Sequence, residues 1–441
     1  MPGRVVSLKH VIVGLGAAGG AAAQAIRSRD PSAEIAAVTG EGLPARSRML
    51  ATHYLSGHRP LDGTILRSRD WFEQLGVKVT EGRAVSIDRS ACRVVLDDES
   101  CLRYDALLVA TGSRPVLPPV PGLNPANVRT LWTFDQAGAV KEAVAGGAVK
   151  TAVVIGAGFL GVQAAVALAD TGVQVVLAEL LGRVIPTRLD DTASGMVSTR
   201  LAGIGVRVML ARRAIAVTGE GATRTVEFRT AAGEAEKIAA DLVAVTAGTR
   251  ANLEIAQEAG IATRSGILVD DYLRTSDHRI YAAGDVAEAN DRLQAGRAVN
   301  ALWPVAAETG KMAGLNMAGA RLPYEGSVAF NFIDVSGLRT VSIGDTDPEG
   351  ERAKDTIVWR AGKLTYRKLV LGPLVQGGSS LRVVQGAILT GDVSGASQWY
   401  QVVKRRLAID PSCVNAAREP DWAYTNLTVS GWPGATDALS R

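Results

Sequence analysis

Six glycines in two triplets carry the first readable chemistry of this chain. Gly14, Gly16 and Gly19 stand in H-V-I-V-G-L-G-A-A-G-G-A-A-A, and Gly156, Gly158 and Gly161 stand in A-V-V-I-G-A-G-F-L-G-V-Q-A-A. Both triplets have the spacing G-x-G-x-x-G. The first glycine permits a tight turn, the second lets the backbone approach a pyrophosphate, and the third lets a helix pack on a strand. Each copy follows a β-branched apolar run and opens an alanine-rich stretch, so a strand, a turn and a helix are predicted around it. The unpaired N–H groups and dipole of such a helix N-terminus favour an anion. Two copies predict two bound dinucleotides, and two dinucleotides predict electrons passing between them.

The residues that follow each triplet select the nucleotide. After the second, V-Q-V-V-L-A-E reads as a strand ending in Glu179, about twenty residues past the glycines, where a ribose-binding acid belongs. A carboxylate there accepts hydrogen bonds from the ribose hydroxyls and repels a 2′-phosphate, which favours NAD; Arg183 nearby is the opposing charge. After the first triplet, I-A-A-V-T-G leads to Glu41 and then to P-A-R-S-R, which ends at Arg48. Near residue 275 runs R-T-S-D-H-R-I-Y-A-A-G-D-V-A, read as a short strand Ile280–Ala283, then Gly284, then Asp285 at the entrance to another helix. Two further segments, Tyr104–Pro115 and Ala240–Asn252, read as crossings between domains.

In this order the five elements resemble the FAD-dependent pyridine nucleotide oxidoreductases, the two-dinucleotide-binding flavoproteins, over about residues 8 to 345. The resemblance implies an α/β fold with two Rossmann-like dinucleotide-binding domains and a C-terminal α+β domain. It implies an FAD domain from 1–115 and 248–323, an NAD domain at 116–247, and an interface domain at 324–441 with an aromatic tail. For FAD it implies Gly14, Gly16, Ala18, Gly19, Glu41, Arg48, Ala84, Thr111, Gly112, Gly284, Asp285 and Trp303. For NAD it implies Gly156, Gly158, Phe159, Leu160, Gly161, Glu179 and Gly248. The stretch Ser47–Gly57, continuing through Ile65–Val79, is similar to the nitrite-reductase and rubredoxin-reductase branch. Similar chains occur as NADH-linked flavin subunits of 2-oxoacid or aldehyde oxidoreductase complexes, phenylglyoxylate dehydrogenase and tungsten-containing enzymes among them. Two positions depart from that pattern: Ala45 replaces a tyrosine, and Gln163 replaces a glutamate beside the nicotinamide.

The cysteines narrow the chemistry. Cys92, Cys101 and Cys413 are scattered, with no C-x-x-C, and the stretch 44–58, where relatives place redox thiols, has none. A redox disulfide and a cysteine-ligated cluster within the chain are therefore not expected. Cys92 and Cys101 read as ordinary thiols flanking a turn. Four scattered histidines make a metal site unexpected. The candidates for a part in catalysis are His53, Gln163 and Trp303; the last precedes a helix whose N-terminal dipole would face the flavin's pyrimidine edge and stabilise a reduced anion. For His53 the ordinary reading is a surface or core histidine.

Composition sets limits. At 441 residues the chain suggests two or three domains. Its net charge of +4 does not point to nucleic acid. Ala152–Ala169 is an uncharged run of membrane-span length, but its glycines and β-branched start fit strand–turn–helix better. The first residues lack the apolar core of a secretion signal, and a reducing cytoplasm is expected. Residues 324 onward read as strands followed by one amphipathic helix, Gly395–Ile409, that carries the Lys404–Arg406 charges. The tail beyond Pro411 holds Trp422, Tyr424 and Trp432. The expected activity is an NAD(H):acceptor oxidoreductase that exchanges hydride between NAD(H) and FAD, and single electrons with an iron–sulfur partner. Its expected setting is the NAD-reducing subunit of a 2-oxoacid or aldehyde oxidoreductase complex. The alternatives are a stand-alone NADH-dependent reductase or oxidase of a small molecule, and an NADH-sensing scaffold flavoprotein.

Overall fold

The structure, a computed structural model, describes residues 8–219, 221–294, 296–347, 355–361, 364–374, 381–409 and 429–430. Two units emerge. The first comprises Met1–Val116, Trp132–Phe134 and Thr249–Ser327; the second comprises Leu117–Leu131, Asp135–Gly248 and Val328–Arg441.

The first unit is built on a parallel sheet in the order Ile280–Ala282, Ala106–Val109, Lys9–Val13, Glu34–Thr39, Val77–Glu81. Its central strands are mostly apolar, and Ile12, Leu107, Leu108 and Val109 are completely buried. Such runs suit a parallel strand covered on both faces. Strand order reverses beside Lys9–Val13, whose neighbours are Glu34–Thr39 on one side and Ala106–Val109 on the other. In open parallel sheets that point is where a ligand crevice forms. Helix Ala17–Arg29 follows directly. Helix Trp303–Met317 lies against it through small residues: a Cβ at Gly310 would fall 2.1 Å from the Ala18 carbonyl oxygen, and one at Gly314 2.5 Å from that of Ala22. An antiparallel sheet, Ala84–Asp88, Arg93–Leu96 and Cys101–Arg103, completes the early part of the unit.

The second unit repeats the plan. Its parallel sheet runs Arg207–Met209, Gln174–Ala178, Thr151–Ile155, Leu242–Val245. The run 152–169 thus divides into strand Thr151–Ile155 and helix Phe159–Asp170. No helix among the described residues is long and apolar enough to cross a membrane. An antiparallel sheet, Arg213–Thr218, Arg224–Arg229 and Ala235–Ala240, adjoins it. The C-terminal sheet pairs Phe330–Val335, Leu338–Gly344, Arg382–Thr390, Thr365–Leu374 and Asp355–Ala361 in that order, all antiparallel.

Three sequence expectations are corrected. Asp285 does not open a helix. It lies in a 3-10 turn, Gly284–Val286, that leads into strand Ala287–Asn290, because Ile267–Leu268 offers that segment a parallel partner. Cys92 and Cys101 do not flank a bare turn, since strand Arg93–Leu96 lies between them. The amphipathic helix ends early, spanning Ala396–Lys404 and burying Trp399, Val402 and Val403. Arg406 adopts a left-handed φ of 52°, and Ala408–Ile409 joins the sheet instead. Cys413, Trp422, Tyr424 and Trp432 lie outside the described residues.

Candidate cofactor sites

In both parallel sheets the glycine triplet occupies the turn at the switch point, and the two turns are built alike. Gly14 has φ +102° and donates its N–H to the Val38 carbonyl at 2.8 Å; Gly156 has φ +103° and donates to Ala178 at 2.8 Å. An added Cβ would stand 2.3 Å from the Ala110 oxygen at Gly14 and 2.6 Å from the Thr246 oxygen at Gly156. At the third glycines the obstruction comes from the first: a Cβ on Gly19 or Gly161 would lie 1.9 Å from the carbonyl oxygen of Gly14 or Gly156. The middle glycines differ. Chain neighbours apart, no atom of the described residues comes within 4 Å of a Cβ built at Gly16 or Gly158, although each caps its helix. Protein packing therefore explains the outer glycines and leaves open space at the middle ones. Both cradles fit a dinucleotide pyrophosphate.

Around the first cradle, Ala18 is buried beneath Gly284, whose φ of +76° and close approach to the Ala18 methyl leave no room for a side chain. The Thr309 hydroxyl receives the Gly284 N–H at 3.0 Å. Next in the turn, the half-buried Asp285 accepts a 2.9 Å bond from the Ser113 hydroxyl. Burial pushes its carboxyl above the ordinary range, while Ser113 and the Arg48 charge pull it down. Arg48 pairs with Glu41, reaches the Ser113 carbonyl at 3.4 Å and lies 5.3 Å from the Trp132 ring. Burial lowers its pKa, with Asp285 opposing. The first unit thus brings Glu41, Arg48 and Asp285 into one chain of contacts. Thr111 and Gly112 are held by Asn252, which donates to the Thr111 carbonyl at 2.8 Å and from its backbone to Gly112 at 3.0 Å. Ala84 begins its strand two residues beyond Gly82, whose N–H is bound by Thr39 at the end of the second sheet strand. Ser113, Asn252 and Thr309 were missed as site residues; the segments Tyr104–Pro115 and Ala240–Asn252 contain the first two.

His53 stands on the exposed side of the short helix Ala51–Leu55, its ring 6.5 Å from that of His58. Partial desolvation lowers its pKa, and His58 and Arg59 add to the effect. Among the described residues no hydrogen bond or ion pair ties it to Asp285. Trp303 opens its helix and is 40 % exposed.

In the second unit, Glu179 is buried at 8 % exposure just after strand Gln174–Ala178. Its carboxylate accepts the Ala157 N–H at 2.6 Å and the Leu181 N–H at 2.9 Å. A carboxylate offers about four acceptor positions, and these bonds use two of them. Phe159 and Leu160 form the first turn of the helix, half-buried, and Gln163 stands one turn further on, also half-buried. Gly248 has φ +107° and open space at its Cβ position.

Two dinucleotide cradles on two parallel sheets define an oxidoreductase that works with a flavin and a nicotinamide cofactor. The chain belongs to the pyridine nucleotide-disulphide oxidoreductase family, whose model matches residues 8–310. It is similar to the NADH-dependent phenylglyoxylate dehydrogenase subunit epsilon of Aromatoleum evansii, with 31 % identity over 83 % of this chain and 86 % of that one. It is also similar to the nitrite reductase [NAD(P)H] of Bacillus subtilis, with 29 % identity over 95 % of this chain and 50 % of the relative. The chain spans about half the length of that nitrite reductase and of the assimilatory nitrate reductase electron transfer subunit of the same organism. Among solved structures it resembles an NAD-dependent persulfide reductase from A. fulgidus, with a TM-score of 0.81 and 28 % identity over 90 % of this chain and 77 % of that one. Its cofactors are FAD and NAD(H).

Proposed function

We propose that this chain exchanges hydride equivalents with NAD(H) through FAD and passes single electrons to an iron–sulfur partner, as the NAD-linked subunit of a 2-oxoacid or aldehyde oxidoreductase complex. When bound, FAD and NAD(H) supply the redox chemistry; the protein supplies placement and electrostatics. The observation that carries this reading is the duplicated cradle with its middle glycines left open by protein packing. On it, the first unit takes FAD over Gly14, Gly16, Ala18 and Gly19, with Thr111, Gly112, Gly284 and Asp285 along the ribityl chain. Arg48 and Glu41 supply charge, and Ala84 supplies backbone. The second unit takes NAD over Gly156 to Gly161, with Glu179 on the ribose and Gly248 beside it. The C-terminal region from residue 324, whose sheet begins with Phe330–Val335, supplies the interface.

What supports the partner is the likeness to a phenylglyoxylate dehydrogenase subunit and the absence of any cysteine in residues 44–58. With no thiol there, electrons leave from the flavin itself. Cys101 is a free thiol on strand Cys101–Arg103, and Cys92 is a free thiol in the turn that precedes Arg93–Leu96. The likeness to a persulfide reductase favours a second reading, a stand-alone reductase of a small molecule.

The test is anaerobic mixing of the flavin-loaded protein with NADH and then with either a rubredoxin- or ferredoxin-type acceptor or a panel of persulfides and quinones. Rapid reoxidation by the iron–sulfur protein, slowing as salt rises, supports the proposal. Fast turnover of a small acceptor, with none of the protein acceptor, supports the second reading. Replacing all three cysteines by serine is expected to leave flavin bleaching by NADH unchanged.

A further inference from the structure

Arg183 lies four residues past Glu179, in a loop fastened at both ends to the second cradle. The Leu181 N–H is held by the Glu179 carboxylate, and the Ile185 N–H is held by the Ala157 carbonyl at 2.7 Å. A guanidinium carried there is the natural counter-charge for a 2′-phosphate, because planar forked donors match phosphate oxygens. Every nitrogen of this guanidinium is engaged elsewhere. Nη1 donates to Asp191 at 3.0 Å, Nη2 donates to Asp347 at 2.7 Å, and Nε and Nη2 donate to the Pro186 carbonyl at 3.3 and 3.1 Å. Asp191 opens the helix Asp191–Gly203, whereas Asp347 comes from the C-terminal region, 164 residues away in sequence. Its neighbour Thr346 fixes that segment by donating to the Arg188 carbonyl at 2.9 Å.

We propose that Asp191 and Asp347 form a specificity lock: by holding Arg183 away from the adenosine ribose they withhold the cation that NADP would require, so that nucleotide choice depends on the C-terminal region as well as on Glu179. The lock rests on the assignment of the second cradle to NAD. It acts beside the repulsion by Glu179, and it predicts that the preference can be relaxed without touching that residue. Arg212 also lies nearby, since its backbone N–H binds the Glu179 carbonyl; its side chain reaches the Leu210 carbonyl at 3.4 Å.

Both aspartates have exposed side chains, 89 % and 54 %, so their asparagine variants should fold. The flavin-loaded wild type, Asp347→Asn, the double variant Asp191→Asn/Asp347→Asn, and that double variant with Arg183→Gln are titrated calorimetrically with 5′-ADP and with 2′,5′-ADP at low salt. The double variant should bind 2′,5′-ADP about tenfold better relative to 5′-ADP, the scale of one charged hydrogen bond regained. Asp347→Asn alone should give part of that gain, and Arg183→Gln should abolish it. The NADPH-to-NADH ratio of flavin bleaching rates should move in parallel. An unchanged binding ratio in the double variant overturns the lock, as does a gain that survives Arg183→Gln. Loss of the NAD site assignment would look different: 5′-ADP binding indifferent to Glu179→Ala would remove the site itself, and the lock with it.

Discussion

The carboxylate of Glu179 accepts the N–H of Ala157, the residue between the first two glycines of the second triplet, at 2.6 Å. The acid expected to hold the ribose therefore also fixes the turn expected to hold the pyrophosphate. Replacement by alanine should leave two N–H groups, those of Ala157 and Leu181, without their acceptor. The expected cost is about 1–3 kcal/mol in NADH binding, with a smaller preference for NADH over NADPH. Glutamine should be intermediate, since its amide keeps one acceptor oxygen and turns a donor toward the other N–H. Calorimetric titration with NADH and NADPH measures both effects.

The open middle glycines allow folding to be separated from cofactor binding. Gly16→Ala adds a methyl that, chain neighbours apart, meets no atom of the described residues within 4 Å, whereas Gly19→Ala adds one 1.9 Å from the Gly14 oxygen. Gly16→Ala should keep a thermal midpoint close to wild type when both are stripped of flavin, and should retain much less FAD after purification. Gly19→Ala should lower the midpoint of the stripped protein itself, because the helix must shift away from the turn. A flavin content unchanged in Gly16→Ala would remove that turn from the FAD site.

Much of this architecture is legible in the chain because the glycine turns constrain it locally. Gly14 and Gly156 need positive φ, and the β-branched runs before them can only be buried strands. What was not legible depends on distant partners. Asn252 clamps Thr111 across 141 residues, and Asp347 holds Arg183 across 164. No local period marks such pairs. The misread helix after Asp285 has the same origin, since its alanines suit a helix and the partner strands Ile267–Leu268 and Arg297–Ala298 make them extended.

His10 gives the fold a pH dependence. It lies on the first sheet strand beside Ile35 and Ala106, is fully buried, and neither ring nitrogen has a hydrogen-bond partner among the described residues. Burial lowers its pKa below 6.5, Arg27 adds to that, and Asp30 and Asp105 oppose it. The unfolded chain takes up a proton near pH 6.5 and the folded chain resists it, so this residue's contribution is present above that pH and is lost as pH falls below it. The thermal midpoint should decline between pH 7 and 5, and His10→Leu should flatten that decline. At pH 7.5 the leucine variant should be at least as stable, because an unsatisfied buried polar group is replaced by an apolar one. An equal slope in both proteins would assign the acid sensitivity to other groups.

Asp190 anchors the C-terminal sheet within the second unit. It caps the helix Asp191–Gly203 by accepting the Ala193 N–H at 3.0 Å, and it also receives the Tyr366 hydroxyl at 2.5 Å and the Lys368 ammonium at 3.3 Å. Tyr366 and Lys368 are both buried. Removing the carboxylate costs a helix cap, about 1 kcal/mol, and leaves a buried ammonium unpaired, a situation worth about 3–5 kcal/mol. Asp190→Ala should therefore destabilise strongly, whereas Tyr366→Phe should cost about 1 kcal/mol. Asp190→Asn keeps the cap acceptor and loses the ion pair, so it separates the two contributions. Hydrogen exchange is the suitable measurement, because a chain of two units need not unfold in one step. Amides of the paired strands Thr365–Leu374 and Arg382–Thr390 should lose protection in Asp190→Ala, while those of the first unit's parallel sheet keep theirs. Uniform loss across both units would show that Asp190 supports the whole chain and not this one junction.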